Sequence, residues 1–299
     1  MQHFSKTVLF LFFVSIIFNA RSQDLMDLFG EDEEETTEYA YATFKTTRVV
    51  NAQSVENPAP GVMLFIISHH FGKINDGAYN LFGLDQATMR MGFEYSFNDW
   101  LCLAIGRSTF EKTVDGFAKV KLLRQSSGLR NMPVSVSLFT STTINGLRWQ
   151  DSERENYFSS RMAYTHQVLI ARKFSSDFSL QIMPALVHKN LVPTEQDKND
   201  IFALGLGARV KITNRTTFNG EYYYVFPGQR DDEAYKNTLS LGFDIETGGH
   251  VFQLHFTNSQ PMFERGFITE TRGNWLDGDI YFGFNITRVF TIIKPEEFR

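Results

Sequence analysis

The chain has 299 residues, a formal net charge of −5 and one cysteine, Cys102, so an internal disulfide or a multi-thiolate metal site is excluded. No Lys/Arg block is present to neutralise phosphates, which argues against a nucleic-acid partner. Hydrophobic residues at 42% are too few for a helical membrane protein, whereas 30 Phe and 11 Tyr favour strands and the headgroup level of a bilayer.

Lys6, the apolar run Val8 to Phe18 and the small residues Ala20 and Ser22 read as a secretory signal over residues 1–22, cut before Gln23. The run is shorter than the ~20 residues a spanning helix needs. Its removal takes away Lys6 and Arg21 and leaves the chain more acidic still. No cysteine lies near the cut, so a lipoprotein is not expected. Residues 23–41 form an acidic leader around Glu31-Asp32-Glu33-Glu34-Glu35, whose self-repulsion predicts a disordered tether. Residues 42–60 are mixed, and Thr43 to Val50 reads either as a short strand or as a segment packed at the periplasmic mouth of a barrel.

From Gly61 to residue 293 apolar and polar residues alternate. Met89, Met91, Phe93 and Tyr95 oppose Arg90, Gly92, Glu94 and Ser96; Phe202, Leu204 and Leu206 oppose Gly205, Gly207, Arg209 and Lys211; Leu241, Phe243 and Ile245 oppose Gly242, Asp244 and Glu246. Successive strand side chains point to opposite faces, so each segment has an oily side and a side of charges and glycines. The pattern predicts strands at 61–70, 86–97, 99–110, 116–126, 133–142, 160–173, 177–188, 199–212, 215–226, 234–246, 249–258 and 277–291. Each has about the ~9–11 residues that cross a bilayer when tilted. Short links such as Ser175-Ser176-Asp177 and Thr213-Asn214-Arg215 alternate with long ones such as Ser141 to Ser159 and Asn258 to Asp277. The expected fold is all-β, a closed antiparallel transmembrane barrel of about twelve strands with short periplasmic turns and long outer loops, and a tail at 294–299. The competing architecture is a soluble sandwich or lipocalin-like barrel, apolar inside and charged outside. Glycines sharing a face with charges suit a wet lumen instead, and Tyr222-Tyr223-Tyr224 with Phe226 suits an aromatic girdle.

Arg48-Val49-Val50-Asn51, Ile67-Ser68-His69-His70-Phe71-Gly72, Tyr95-Ser96-Phe97-Asn98-Asp99-Trp100, Gly106-Arg107-Ser108 and Lys121-Leu122-Leu123-Arg124-Gln125 carry a resemblance. Together they resemble a family of Bacteroidota β-barrel proteins, domain-of-unknown-function family 5777, over about Thr43 to Ile293. The resemblance implies an outer-membrane barrel and brings no activity, ligand or catalytic residue. The family's pattern has a basic residue after the first histidine, where this chain has His70.

Local motifs for chemistry are weak. His69 and His70 are neighbours in a strand and diverge, so the extended pair cannot chelate one metal, and a site would need a further ligand from elsewhere such as His166, His188 or Asp85. Ser68 beside His69 diverges likewise, and no Gly-x-Ser-x-Gly elbow is present. Asn274 to Asp279 reads as a tight turn rather than a Ca²⁺ loop. No cofactor motif occurs. The charges expected to line the lumen are Arg90, Glu94, Arg107, Arg124, Arg209, Lys211, Asp244 and Glu246; Phe117 leaves the phase of Lys119 and Lys121 open. They form either a selectivity lining or ion pairs that plug a narrow barrel. The leading reading is a non-enzymatic channel or solute-binding barrel whose partners are outer-membrane lipid and a small solute, with glycines between the charges leaving room for a path. The alternative is an interaction platform with a plugged lumen, and a third is an outer-membrane hydrolase.

Overall fold

The computed structural model describes residues 36–149, 153, 155–195, 197–248 and 250–294. Residues 1–22, expected to be a signal, the acidic run at 31–35 and the last five residues lie outside the described residues. The chain divides into two units, residues 1–36 and 37–299.

The second unit is a closed barrel of twelve strands: β1 (Val62–Lys73), β2 (Ala87–Ser96), β3 (Leu101–Ser108), β4 (Val114–Leu123), β5 (Ser135–Ile144), β6 (Met162–Lys173), β7 (Phe178–Lys189), β8 (Asp200–Lys211), β9 (Thr216–Val225), β10 (Thr238–Thr247), β11 (His250–Thr257) and β12 (Tyr281–Thr291). Each strand pairs antiparallel with its neighbours in sequence, and β12 returns to β1 with Thr291 opposite Val62. Closure leaves no edge, so every strand's backbone groups find partners without water. All twelve segments expected from the alternation are strands, with bounds shifted by a few residues.

The side chains are distributed inside out. On β8, Phe202, Leu204 and Leu206 are exposed while Ala203, Gly205, Gly207 and Arg209 are buried. On β2, Met91 and Phe93 are exposed while Arg90 and Glu94 are buried. A soluble barrel would have the reverse, so the belt of exposed Leu, Phe, Met and Ile faces lipid. Aromatic pairs flank this belt at both ends. Phe71–Phe282 and Tyr224–Phe226 pair at 5.6 and 5.7 Å near one rim, and Phe174–Phe178 at 5.8 Å near the other. Tyr223 departs from the expected girdle: it shares the inner phase with Glu221, is fully buried, and donates to Gln167 Oε1 at 2.8 Å.

One end of the barrel carries tight turns built by a repeated device. Asn98 Oδ1 accepts from the amides of Trp100 and Leu101 at 3.1 and 2.8 Å. Ser175 Oγ accepts from Asp177 and Phe178 at 3.2 Å each, and Thr213 Oγ1 from Arg215 and Thr216 at 3.2 and 3.0 Å. A short polar side chain that bonds its own backbone two or three residues on reverses the chain in minimal length. The opposite end carries the links 74–86, 109–113, 145–161, 190–199, 226–237 and 258–280, of which only 109–113 is short. These are the turn end and the loop end. At the turn end Thr37–Tyr39 pairs with Ser126–Gly128 in a separate ribbon. The leader is therefore ordered from Thr37, where the charge pattern alone predicts a disordered tether to residue 41.

Candidate functional site

The lumen is filled from both ends. From the turn end, residues 42–58 run into the barrel rather than resting at its mouth. Residues 47–54 form a hairpin: Arg48 bridges Gln53, Ser54 N donates to Thr47 O at 2.9 Å and Val49 N to Ala52 O at 2.8 Å. The tip aims three successive amides at one wall carboxylate. Val50, Asn51 and Ala52 donate to Glu221 of β9 at 3.0, 3.0 and 2.9 Å. Other wall residues grip the hairpin's backbone. Gln181 of β7 donates to Gln53 O at 2.7 Å and accepts from Val55 N at 2.7 Å, while Asn285 of β12 donates to Val50 O at 3.1 Å. Lys119 of β4 donates to Ser54 O and Glu56 O at 3.2 and 2.6 Å.

From the loop end, the link 258–280 folds inward and carries a short helix, α1 (Glu264–Thr269), all of whose residues are buried. Thr269 and Thr271 satisfy its last turn by donating to Arg265 O and Phe267 O at 2.8 and 2.9 Å. Neighbouring residues of α1 face the two ends of the lumen. Glu264 meets the hairpin, accepting from Gln53 Nε2 at 3.0 Å with Arg48 at 3.5 Å. Arg265 meets the loop end, pairing with Glu111 and, at 3.3 Å, with Glu270. The apolar core sits between these two inserts and the wall: Ala52 of the tip, Phe267 and Ile268 of α1, and Leu169, Met183 and Tyr223 of the strands.

The charges read from the sequence divide into three groups. Arg90, Glu94, Arg209 and Asp244 are on the inner face and buried. Arg90 pairs with Asp115 of β4, Nε to Oδ1 at 2.9 Å, and Glu94 pairs with Arg48 of the hairpin at 2.8 Å. Arg209 donates to the carbonyls of Ala42 and Thr43 at 2.7 and 3.0 Å, and Asp244 accepts from Gln253 at 2.8 Å. Lys211 and Glu246 are at the turn end, with Asp177 at 3.6 Å and Lys45 at 2.6 Å. Arg107 and Arg124 do not line the lumen. Arg107 is exposed and shares the outward phase of Leu103 and Ile105, because Cys102, Gly106 and Ser108 take the inner positions of β3. Arg124 comes just after the irregularity that ends β4 and stacks over Tyr39 and Tyr41 at 4.6 and 4.7 Å. Lys119 and Lys121 share the inner phase with Phe117, which packs on Phe139 at 5.1 Å.

The inner glycines do not leave a path. A Cβ at Gly205 would lie 2.6 Å from the Tyr223 ring, one at Gly207 would lie 3.2 Å from Val49 of the hairpin, and one at Gly106 would strike the Arg90 guanidinium. The missing side chains make room for neighbouring large ones.

Asp115, Glu221, Arg48 and Glu264 were not among the expected lining residues. Asp115 precedes by one residue the expected start of its strand, and Glu221 was legible from the alternation Thr217, Asn219, Glu221, Tyr223. Arg48 and Glu264 lie in non-alternating segments, and no local signal marks them.

Beside α1 at the loop end a vestibule of about 900 Å³ remains, walled by described residues of the links 109–113, 145–161, 190–199, 226–237 and 258–280. Burial would raise the Glu270 carboxyl, but Arg265 and Lys189, the latter at 2.8 Å, outweigh it and hold its pKa below the ordinary range.

The candidate chemical groups diverge. Ser68 and His70 face inward, while His69 stacks outward on Phe284 at 5.1 Å. His70 meets His255 at 2.9 Å between Nε2 atoms, with Gln260 O at 3.0 Å from its Nδ1. His166 contacts Thr140, His188 contacts Asp200, and among the described residues no His/Cys/Asp/Glu group is arranged to hold a metal. Asn274 to Asp279 is a turn with Gly278 at φ 77°, tied to β1 by Lys73–Asp279 at 2.8 Å.

A protein-family profile described as a membrane bound beta barrel domain, domain-of-unknown-function family 5777, matches residues 44–290. No curated protein is detectably similar. Structural neighbours are outer-membrane porins and channels: the NanC porin is 10% identical with a TM-score of 0.47, over 76% of this chain and 98% of its own. An outer-membrane channel from Pseudomonas putida F1 is 10% identical with a TM-score of 0.43, over 79% and 97%. LpxR from Salmonella typhimurium is also similar, at 12% identity and a TM-score of 0.35, over 76% and 99%. At these identities the likeness concerns the fold alone.

Proposed function

The chain belongs to the family of membrane-bound β-barrel domains numbered 5777, and from that premise we propose that it is a non-enzymatic solute barrel of the outer membrane, here in its closed state. Short turns, long loops, a lipid-facing belt and a signal at residues 1–22 support an outer-membrane location with the turn end periplasmic. The divergence of Ser68 from His69 supports a non-enzymatic role.

The hairpin carries the reading. It is a separate segment inserted through the turn end, and the wall holds it chiefly by hydrogen bonds to its backbone, Glu221 above all. Such contacts exchange with water when a segment withdraws. Ion pairs of the kind Arg48–Glu94 also hold it in one register at little net gain over water. A solute path then requires the hairpin to leave by the end through which it entered.

One observation favours a second reading, a permanently stoppered platform: Ala52 shares an apolar core with Phe267 and Ile268. Recordings in a planar bilayer separate the two. Wild-type protein is expected to be silent at rest, and a variant lacking residues 42–58 is expected to conduct steadily. A deletion variant that folds and stays silent would leave the platform.

A further inference from the structure

The vestibule at the loop end has a charge pattern that the closed lumen does not require. Its anions are largely consumed in pairs: Glu270 with Lys189 and Arg265, and Glu111 with Arg265. Three guanidinium groups on its wall, Arg148, Arg161 and Arg272, have no carboxylate within ion-pair distance among the described residues, although Arg272 is near enough to Glu270 to favour its charged form. Glu155 is on the same wall, engaged with the Tyr157 hydroxyl.

Two of these cations are held in place. Arg161 lies 3.8 Å from the Trp149 ring centre and donates to Asn145 O at 2.9 Å and to Leu147 O. Arg272 lies 5.5 Å from the Tyr235 ring. Stacking on a ring fixes a guanidinium's plane while leaving N–H groups free, and that fork matches a carboxylate bidentately. A net-negative chain has thus gathered fixed positive charge around a concave site at the end where the solute would arrive.

We propose that this vestibule binds a small organic anion through carboxylate groups received by Arg148, Arg161 and Arg272. The site deepens the solute-barrel reading and rests on it for its purpose, but its occupancy can be read without any transport. A cavity of about 900 Å³ is of the size that holds a metabolite. The rings beside the cations offer an apolar surface to the carbon skeleton, so the site should distinguish an organic anion from a bare inorganic one.

The test is isothermal titration of the purified full-length barrel in a non-ionic detergent. Citrate is the probe, trimethyl citrate its neutral counterpart and inorganic phosphate the inorganic arm. Citrate should bind, and the ester should bind at least ten-fold more weakly. The double variant Arg148→Gln/Arg272→Gln should weaken citrate at least ten-fold, whereas Lys198→Gln, a loop cation outside the cavity, should leave it unchanged. Both variants keep the strands untouched, and the heat-modifiable mobility typical of folded barrels checks that each has folded. Citrate no tighter than its ester, or unaffected by the double variant, would overturn the site. Phosphate as tight as citrate would overturn the organic assignment. Citrate binding with a silent 42–58 deletion would sink the gated path and leave the site, and the opposite pair of results would do the reverse.

Discussion

Glu221→Ala isolates the hold on the hairpin. In the closed barrel the carboxylate takes three amide hydrogens, and all three donors sit in buried backbone. Orphaning a buried donor costs ~1–3 kcal/mol, which for three gives an upper bound near ~9 kcal/mol. Two effects offset this. The variant no longer buries a carboxylate, whose desolvation costs several kcal/mol, and water can enter the space that the side chain vacates. A net loosening of roughly 2–4 kcal/mol remains, and at ~1.4 kcal/mol per decade the withdrawn hairpin should rise between about 30-fold and several-hundred-fold in population. Ser54→Cys in a Cys102→Ser background reports this directly, because Ser54 is fully buried in the hairpin and the exchange is nearly isosteric. The labelling rate with a membrane-impermeant thiol reagent should rise by that factor when Glu221→Ala is added, and Glu221→Gln should fall between. An unchanged rate in a folded barrel would refute the idea that Glu221 holds the plug.

Arg90→Ala should cost ~3–5 kcal/mol in urea unfolding from liposomes, since Asp115 is left charged and buried; the double change Arg90→Met/Asp115→Leu should recover most of it, and failure to recover would deny that the two act as a pair. Leu206→Arg on the lipid face should cost ~2–4 kcal/mol near the bilayer midplane, while Gly205→Ala, whose methyl would lie 2.6 Å from the Tyr223 ring, should cost ~1–3 kcal/mol by overpacking. Equal folding of both with wild type would reject the assignment of faces. Because Glu270 is held below its ordinary pKa of 4.5, its stabilising share is complete at neutral pH and is lost as pH falls through the lowered value. Below about pH 4.5 wild-type thermal stability should therefore fall more steeply than that of Glu270→Gln; parallel profiles would count against it.

The wall of the barrel was legible in the sequence because a strand's period of two writes its environment directly into residue type. Met89 to Ser96 and Phe202 to Lys211 each state which face meets lipid and which does not. The inner charges of those strands were legible by the same rule, and Arg107 and Tyr223 were misjudged only where its phase was not carried through. The filling of the lumen was not legible. Arg48 finds Glu94 across 46 residues and Glu264 across 216, and neither Arg48 nor Glu264 lies in an alternating segment that would announce the contact. An inner glycine also reads identically whether it faces water or cradles a ring, so Gly205 and Gly207 suggested space that Tyr223 and Val49 occupy. Periodicity reports the surface an element presents, and it is silent on which distant segment comes to lie against it.

Glu221 touches the tip of the hairpin almost wholly through peptide amides. A catch of that sort is blind to side-chain identity, since nearly every amino acid supplies the same N–H. Val50, Asn51 and Ala52 are then free to drift under mutation so far as this catch is concerned, with proline the one residue barred from all three positions for lack of the hydrogen. Evolution can therefore retune how the tip meets the opposite wall, by exchanging Asn51 and its 3.1 Å contact with Ser240 for instance, while a single carboxylate on β9 preserves the depth to which the segment is seated.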